Sequence, residues 1–158
     1  MILNLSTFAW IHTVLSLVAL VSGIIVVVEM LGARTPRLWT AIYLASAVAT
    51  SATGFGFPFE SFGASHWVGV LSLVALLAAI LALYVFHLAG AWRWIYVLGV
   101  VLGLYFDVFV AIAQAFKKVP ALTAMAPTLS EPPFAAAQLV ALVIFVVLAI
   151  AAVRRFRP

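Results

Sequence analysis

Between Arg93 and Phe116 the chain reads RWIYVLGVVLGLYFDVFVAIAQAF, an apolar run interrupted by one carboxylate, Asp107. A helix of roughly 20 apolar residues crosses a bilayer. In hydrocarbon every backbone polar group must be satisfied internally, so only helices and closed barrels can span. The run lacks the alternation a barrel strand needs, which leaves a helix. Gly99, Gly103, Asp107 and Ala111 recur every fourth residue and share one helical face, with Gln114 one turn further. Glycines four apart let a neighbouring helix approach closely. Gly99 and Gly103 are therefore read as a helix-packing pair, and the Asp107 carboxylate as facing protein. An ionisable group at this depth costs about 2.5–3.5 kcal/mol on insertion scales and marks a functional site by default.

The rest of the chain repeats the theme. Apolar segments at about 5–31, 38–57, 66–91, 93–116 and 134–153 are each near the length of a tilted spanning helix. The chain is 68% hydrophobic and 8% charged, where an ordinary soluble domain carries about 25% charge. The expected fold is all-α, a five-helix integral membrane bundle forming a single transmembrane domain over residues 1–158. No Lys or Arg precedes Trp10, so the basic start of a signal peptide is missing and the first segment is read as a retained helix. The formal charge of +4 does not indicate nucleic acid, because the basic residues cluster at helix ends, where membrane topology needs them. The absence of cysteine excludes disulfides, thiolate metal sites and cysteine nucleophiles.

Charge placement sets an expected orientation. Arg34, Arg37, Arg93, Arg154, Arg155 and Arg157 fall on one side of the five segments, and Lys117 and Lys118 on the other. The positive-inside rule puts the arginine side in the cytoplasm, the N-terminus outside and the C-terminus inside. Trp10 and Trp67 would then lie at the outer interface, and Trp39, Trp92 and Trp94 at the inner one, as aromatic belts require.

Val14–Leu20 and Val70–Leu76 both read VLSLVAL, 56 positions apart (14 to 70), and Arg37 and Arg93 match at the same offset. Helices 1–2 and helices 3–4 are thus candidates for a parallel repeat, with helix 5 outside it. The long connection KKVPALTAMAPTLSEPP contains prolines that forbid a continuous helix. Ser130 is its expected N-cap for helix 5, with Glu131 in the first turn.

The stretches AQAFKKVPAL and SEPPF within Tyr105–Phe134, and FHLAGAWRW at Phe86–Trp94, resemble a family of small bacterial multi-pass inner-membrane proteins with no established activity. The resemblance implies a bacterial inner-membrane location and brings no site, substrate or cofactor with it.

Depth along the helices, at 1.5 Å per residue, groups the polar residues. Asp107 lies roughly 13 Å from the outer end of its segment and His12 roughly 10 Å from the start of helix 1. Thr50 lies at a similar depth in helix 2, with Gln114 and Gln138 nearer the outside. These five residues form the expected ligand or proton site, with Asp107 and His12 in reach of one another and Thr50 as third member. Each has a plainer reading: back-bonding for the Ser and Thr residues, interhelical contacts for the glutamines, interfacial placement for His12, His66 and His87, and for Asp107 a structural carboxylate bonded to His12 or a tyrosine.

The site allows three functional readings. In the first, the protein is a proton- or cation-responsive transport or permeation protein, since an acid–imidazole pair can exchange protons near neutral pH. In the second it is a b-type haem redox protein ligated by His12 and His66. At the 56-residue offset His66 aligns with Trp10 and not with His12, which argues against equivalent haem ligands. In the third it is an accessory subunit, or a homo-oligomer, in a larger membrane complex. Hydrolytic chemistry has no support: no serine–histidine–acid set falls at one depth, and no HExxH is present.

Overall fold

A computed structural model describes residues 5–58 and 61–158. Six helices follow in order: α1 (Leu5–Leu31), α2 (Arg37–Gly54), α3 (Ala64–Ile80, prolonged by a π-turn over Leu81–Val85), α4 (Trp92–Lys118), the short α5 (Pro120–Met125) and α6 (Pro132–Arg155). Among the described residues there is no strand. Four helices, α1, α3 with its π-turn, α4 and α6, are long and apolar enough to cross a membrane. The exception is α2, which has 18 residues and carries Arg37 with Thr40, Ser46, Thr50, Ser51 and Thr53.

Helices α1 to α4 pack in sequence and close into a ring through an α1–α4 contact, and α6 lies outside against α4 and α1. Proline starts several elements: Pro120 opens α5, Pro132 and Pro133 open α6, and Pro36 precedes α2. Its fixed φ suits a first turn, where the missing N–H is not needed. The six arginines lie at one end of the ring and the two lysines at the other. Arg93 joins two helices at the arginine end, where its Nη1 donates to the Val153 carbonyl (3.0 Å) and the Phe156 carbonyl (2.5 Å).

The core centres on Tyr43, fully buried in α2, whose hydroxyl donates to the Val100 carbonyl of α4 at 2.8 Å. Glycines make this approach possible. A Cβ on Gly103 would sit 2.6 Å from the Tyr43 oxygen, and one on Gly99 would sit 2.6 Å from the Ala75 carbonyl oxygen. Both expected packing glycines therefore lie at helix crossings. Gly23 on α1 meets the Tyr43 ring, and the residues 56 positions later (23 to 79, 43 to 99), Ala79 and Gly99, also meet each other. The two crossings correspond, with the small and the large partner exchanged.

Outward faces are strongly apolar, as on α1 (Val14, Leu17, Val21, Ile24) and α6 (Leu139, Val143, Val147). Apolar surface of this extent marks contact with lipid or another apolar partner.

The structure departs from expectation at four places. Helix 3 stops at the π-turn and does not run to Ala91. Antiparallel helices need a connection of about 2–5 residues, which a helix ending at Ala91 before one starting at Arg93 would not leave. Three residues with left-handed φ, His87 (49°), Leu88 (61°) and Gly90 (54°), make the reversal, and the Phe86 and Trp92 rings stack across it at 4.0 Å. Helix 2 ends at Gly54 and not at Phe57, so Thr50 lies about one turn from its end. The expected loop 117–133 is partly helical, with α4 reaching Lys118 and α5 following. Finally, the residue at the start of α6 is Glu131 and not Ser130. The Glu131 carboxylate accepts the Thr128 hydroxyl at 2.7 Å and the Ser130 N–H at 3.1 Å, which tightens the loop before the helix.

Candidate functional site

At the lysine end the four ring helices diverge around a cavity of about 730 Å³. His12 and Ser16 reach it from α1, Thr50 and Ser51 from α2, His66 and Ser72 from α3, and Asp107, Gln114 and Lys118 from α4. Apolar walls from Leu20, Phe55, Phe57, Phe106 and Val110 complete it. Asp107 is eleven residues from Lys118, so the carboxylate lies about 16 Å along the helix from the mouth.

Two polar atoms in this cavity have no hydrogen-bond partner among the described residues: Oδ2 of Asp107 and Oγ1 of Thr50, both buried. Buried polar atoms are partnered in roughly nine cases out of ten, and an unsatisfied one costs about 1–3 kcal/mol, more when charged. The two residues, on α2 and α4, both line this cavity, and their unpartnered atoms hold acceptor and donor capacity for an occupant or for water.

His12 is held differently from the expectation. No hydrogen bond or ion pair joins it to Asp107, although both line the cavity. Its Nδ1 lies 2.8 Å from the Thr53 hydroxyl oxygen. Thr53 donates its own proton to the Ala49 carbonyl at 2.7 Å, so its oxygen accepts and His12 Nδ1–H donates. That assignment leaves Nε2 as the remaining lone pair of the neutral ring. The ring packs edge-on against Phe57 at 5.1 Å, and Gly54 leaves room beside it, with a Cβ there 3.8 Å from His12 Cε1.

Of the five expected site residues, His12, Thr50, Asp107 and Gln114 share the cavity. Gln138 does not line it. Its Nε2 donates to the Phe109 carbonyl at 3.1 Å, and its Oε1 is buried without a partner, so it fastens α6 to α4. Lys118, Ser51 and Ser72 were not anticipated. Lys118 continues the spacing of 107, 111 and 114 by one more turn, which is the signal that would have found it. Ser51 donates to Ser72 at 3.1 Å, and Ser72 is the counterpart of Ser16 at the 56-residue offset (16 to 72).

His66 faces the same cavity as His12, which is the arrangement a bis-histidine haem would need. Its Nδ1, however, accepts the Gly63 N–H at 3.1 Å. A neutral imidazole has one lone pair, so Nε2 of His66 carries the proton and does not offer an electron pair to iron while that contact holds. His66 instead sits among Phe55 and Phe62, with centroids at 5.7 and 5.0 Å. His87 lies at the opposite end. Among the described residues no group of three His, Cys, Asp or Glu could hold a metal ion. Comparison of the chain with protein-family models, with curated proteins and with solved structures finds no match.

Proposed function

We propose that this is a cation-responsive transport or permeation protein, and that Asp107 binds a monovalent organic cation or, in competition with it, a proton. One observation carries the reading: Asp107, whose buried Oδ2 has no partner among the described residues, lines a cavity of about 730 Å³. That volume falls in the range of small-molecule sites, about 300–1,000 Å³. The aromatic walls suit a cation with apolar substituents, because ring faces attract positive charge. Among the described residues, the titratable groups facing the cavity are His12 on α1, His66 on α3 and Asp107 and Lys118 on α4, while α2 offers hydroxyls. Lys118 is about 16 Å along the helix from Asp107, so it repels a cation at the mouth more than one held beside the carboxylate, since the interaction falls with distance.

The accompanying topology is part of the proposal. All five long helices span, α2 being sheltered by its neighbours; the N-terminus lies outside and the C-terminus in the cytoplasm of a bacterial inner membrane. Six arginines against two lysines support that orientation. The matching crossings at Gly23–Tyr43 and Ala79–Gly99 support an origin of helices 1–4 in a duplicated hairpin.

The test uses purified protein in proteoliposomes with tetraphenylphosphonium as probe. Wild type should give a saturable, pH-dependent probe flux that Asp107→Asn removes and Glu131→Gln keeps. Asp107→Asn that folds normally and retains wild-type flux overturns the proposal, and the role of accessory subunit, with α6 as the docking face, then becomes the better reading.

A further inference from the structure

Helices α1 and α4 run antiparallel and meet at a crossing where a Cβ on Gly23 would lie 2.8 Å from Leu104 Cδ1. On the lysine side of that crossing they part. Positions equally far from it stand level with each other. Leu20 is level with Asp107 (20 to 23, 104 to 107), and Leu17 is level with Val110 (17 to 23, 104 to 110), roughly 9 Å from the crossing. All four line the cavity of about 730 Å³, as do Thr13 and Ala115 nearer the lysine end. The cavity therefore extends into the seam between the two helices.

The same seam reaches the outer surface. Leu17 belongs to the outward apolar stripe of α1 with Val14, Val21 and Ile24 and is 56% exposed, yet it lines the cavity. His12 turns toward α2 through Thr53. Leu17 is five residues further on, about 140° round the helix, and so lies on the edge away from α2. Val110, across the seam, is 36% exposed. Among the described residues α6 contributes nothing to the cavity wall. Its lysine-end half is engaged elsewhere on α4, where Gln138 bonds the Phe109 carbonyl and the Phe134 ring packs on Phe116.

We propose that the cavity takes its occupant from the bilayer through this seam, and that the occupant is an amphiphilic cation, with an ammonium head beside Asp107 and an alkyl chain passing between Leu17 and Val110 into lipid. This rests on the cation reading of Asp107 above and names the route and the class of substrate. Charge favours the side route. Lys118 stands at the aqueous mouth and repels a cation arriving there. Val110 is eight residues from it (110 to 118), roughly 12 Å along the helix, so entry through the seam bypasses the lysine. The two ends of the ligand each meet a matching surface. The chain stays in apolar surroundings throughout and gives up no hydrophobic stabilisation on binding. The head gains a carboxylate, which would repel an anionic amphiphile.

The test uses full-length protein in dodecyl maltoside, a detergent without charge. The chain has no cysteine, so Leu17→Cys carries a single spin label at the seam. Val21→Cys carries one on the same outward stripe, at a position that does not line the cavity. Dodecyltrimethylammonium is titrated, with dodecanol as a chain without charge, and tetraphenylphosphonium binding is measured alongside. The expected result is a saturable shift of the label at 17 toward slow motion with dodecyltrimethylammonium, absent at 21 and absent with dodecanol. Asp107→Asn should raise its midpoint at least tenfold. A label at 17 that does not respond, while tetraphenylphosphonium still binds in an Asp107-dependent way, overturns the side route and leaves the cation site standing. A response at 17 that dodecanol reproduces, or that Asp107→Asn leaves unchanged, shows a chain held without recognition of charge and overturns the proposal. Tetraphenylphosphonium binding that ignores Asp107→Asn sinks the cation site itself. Should Leu17→Cys fail to fold, Thr13→Cys, exposed on the same seam, takes its place under the same outcomes.

Discussion

Replacing Gly103 by alanine tests the packing of the ring most sharply. The new Cβ would lie 2.6 Å from the Tyr43 oxygen and 2.8 Å from Leu76 Cδ2, both inside contact distance. Tyr43 and Leu76 are 0% exposed, so neither has free space to enter. Overpacking of this kind costs about 1–3 kcal/mol. Moving Tyr43 also breaks its 2.8 Å hydrogen bond to Val100, a loss of about 1 kcal/mol. Better helix propensity of alanine over glycine offsets about 1 kcal/mol. The net expectation is a destabilisation of about 1–3 kcal/mol, or a fall in Tm of about 2–12 °C for a chain of this size. Gly32→Ala is the control, since its nearest contact would be an ordinary 3.4 Å. Gly90 is unsuitable as a control because its φ of 54° strains any side chain. The assay is detergent-solubilised unfolding followed by tryptophan fluorescence. In a Tyr43→Phe background one of the two clashes disappears, so Gly103→Ala should cost less there, a coupling that a double-mutant cycle reads. A Gly103→Ala protein melting at or above wild type would refute the close crossing.

Gly99→Ala should destabilise more than Gly23→Ala, because its Cβ meets the backbone oxygen of Ala75 at 2.6 Å, which moves only with its helix, whereas the nearest Gly23 contact is the end of the Leu104 side chain at 2.8 Å; equal melting temperatures would contradict this. Arg93→Gln should cost about 2 kcal/mol, since hydrogen bonds from charged groups are worth about 1.5–3, and should speed carboxypeptidase trimming of the C-terminus after Val153. Glu131 is held below its ordinary value of 4.5, first by the Thr128 hydroxyl. Its lowered folded pKa means that its contribution to loop order is present above 4.5 and is lost as pH falls through the folded value. Hydrogen exchange at Thr128 and Ser130 should therefore be flat from neutral pH down to about 5, after allowance for intrinsic rates, and protection should fall below that range. Thr128→Ala should move the loss to higher pH, and an unmoved profile would remove the assignment.

Residue periodicity exposed the parts of the structure that depend on one helix at a time. The small-residue face of α4, the depth of Asp107 and the shared level of His12 and Thr50 follow from counting along apolar runs, and those three side chains do line one cavity. What could not be read is what depends on helix order. His12 bonds Thr53 and not Asp107 because the α1–α2 pairing brings Thr53 closer, a relation that depth alone does not contain. Gln138, expected nearer the outside with Gln114, lies on α6, outside the ring, and so faces the α4 backbone. The early end of α3 was hidden because the stretch before Gly90 has no Pro or Gly to announce a stop. The break comes from the need to reverse direction before α4, a tertiary demand on a locally helical sequence.

Equilibrium binding of tetraphenylphosphonium to the purified protein, followed by calorimetry, tests the role of Asp107 most directly. Wild type and Glu131→Gln should bind the probe saturably with one affinity, and Asp107→Asn should weaken Kd at least tenfold, about 1.4 kcal/mol. An unchanged Kd in a correctly folded Asp107→Asn protein, or no binding to wild type at all, would contradict the account.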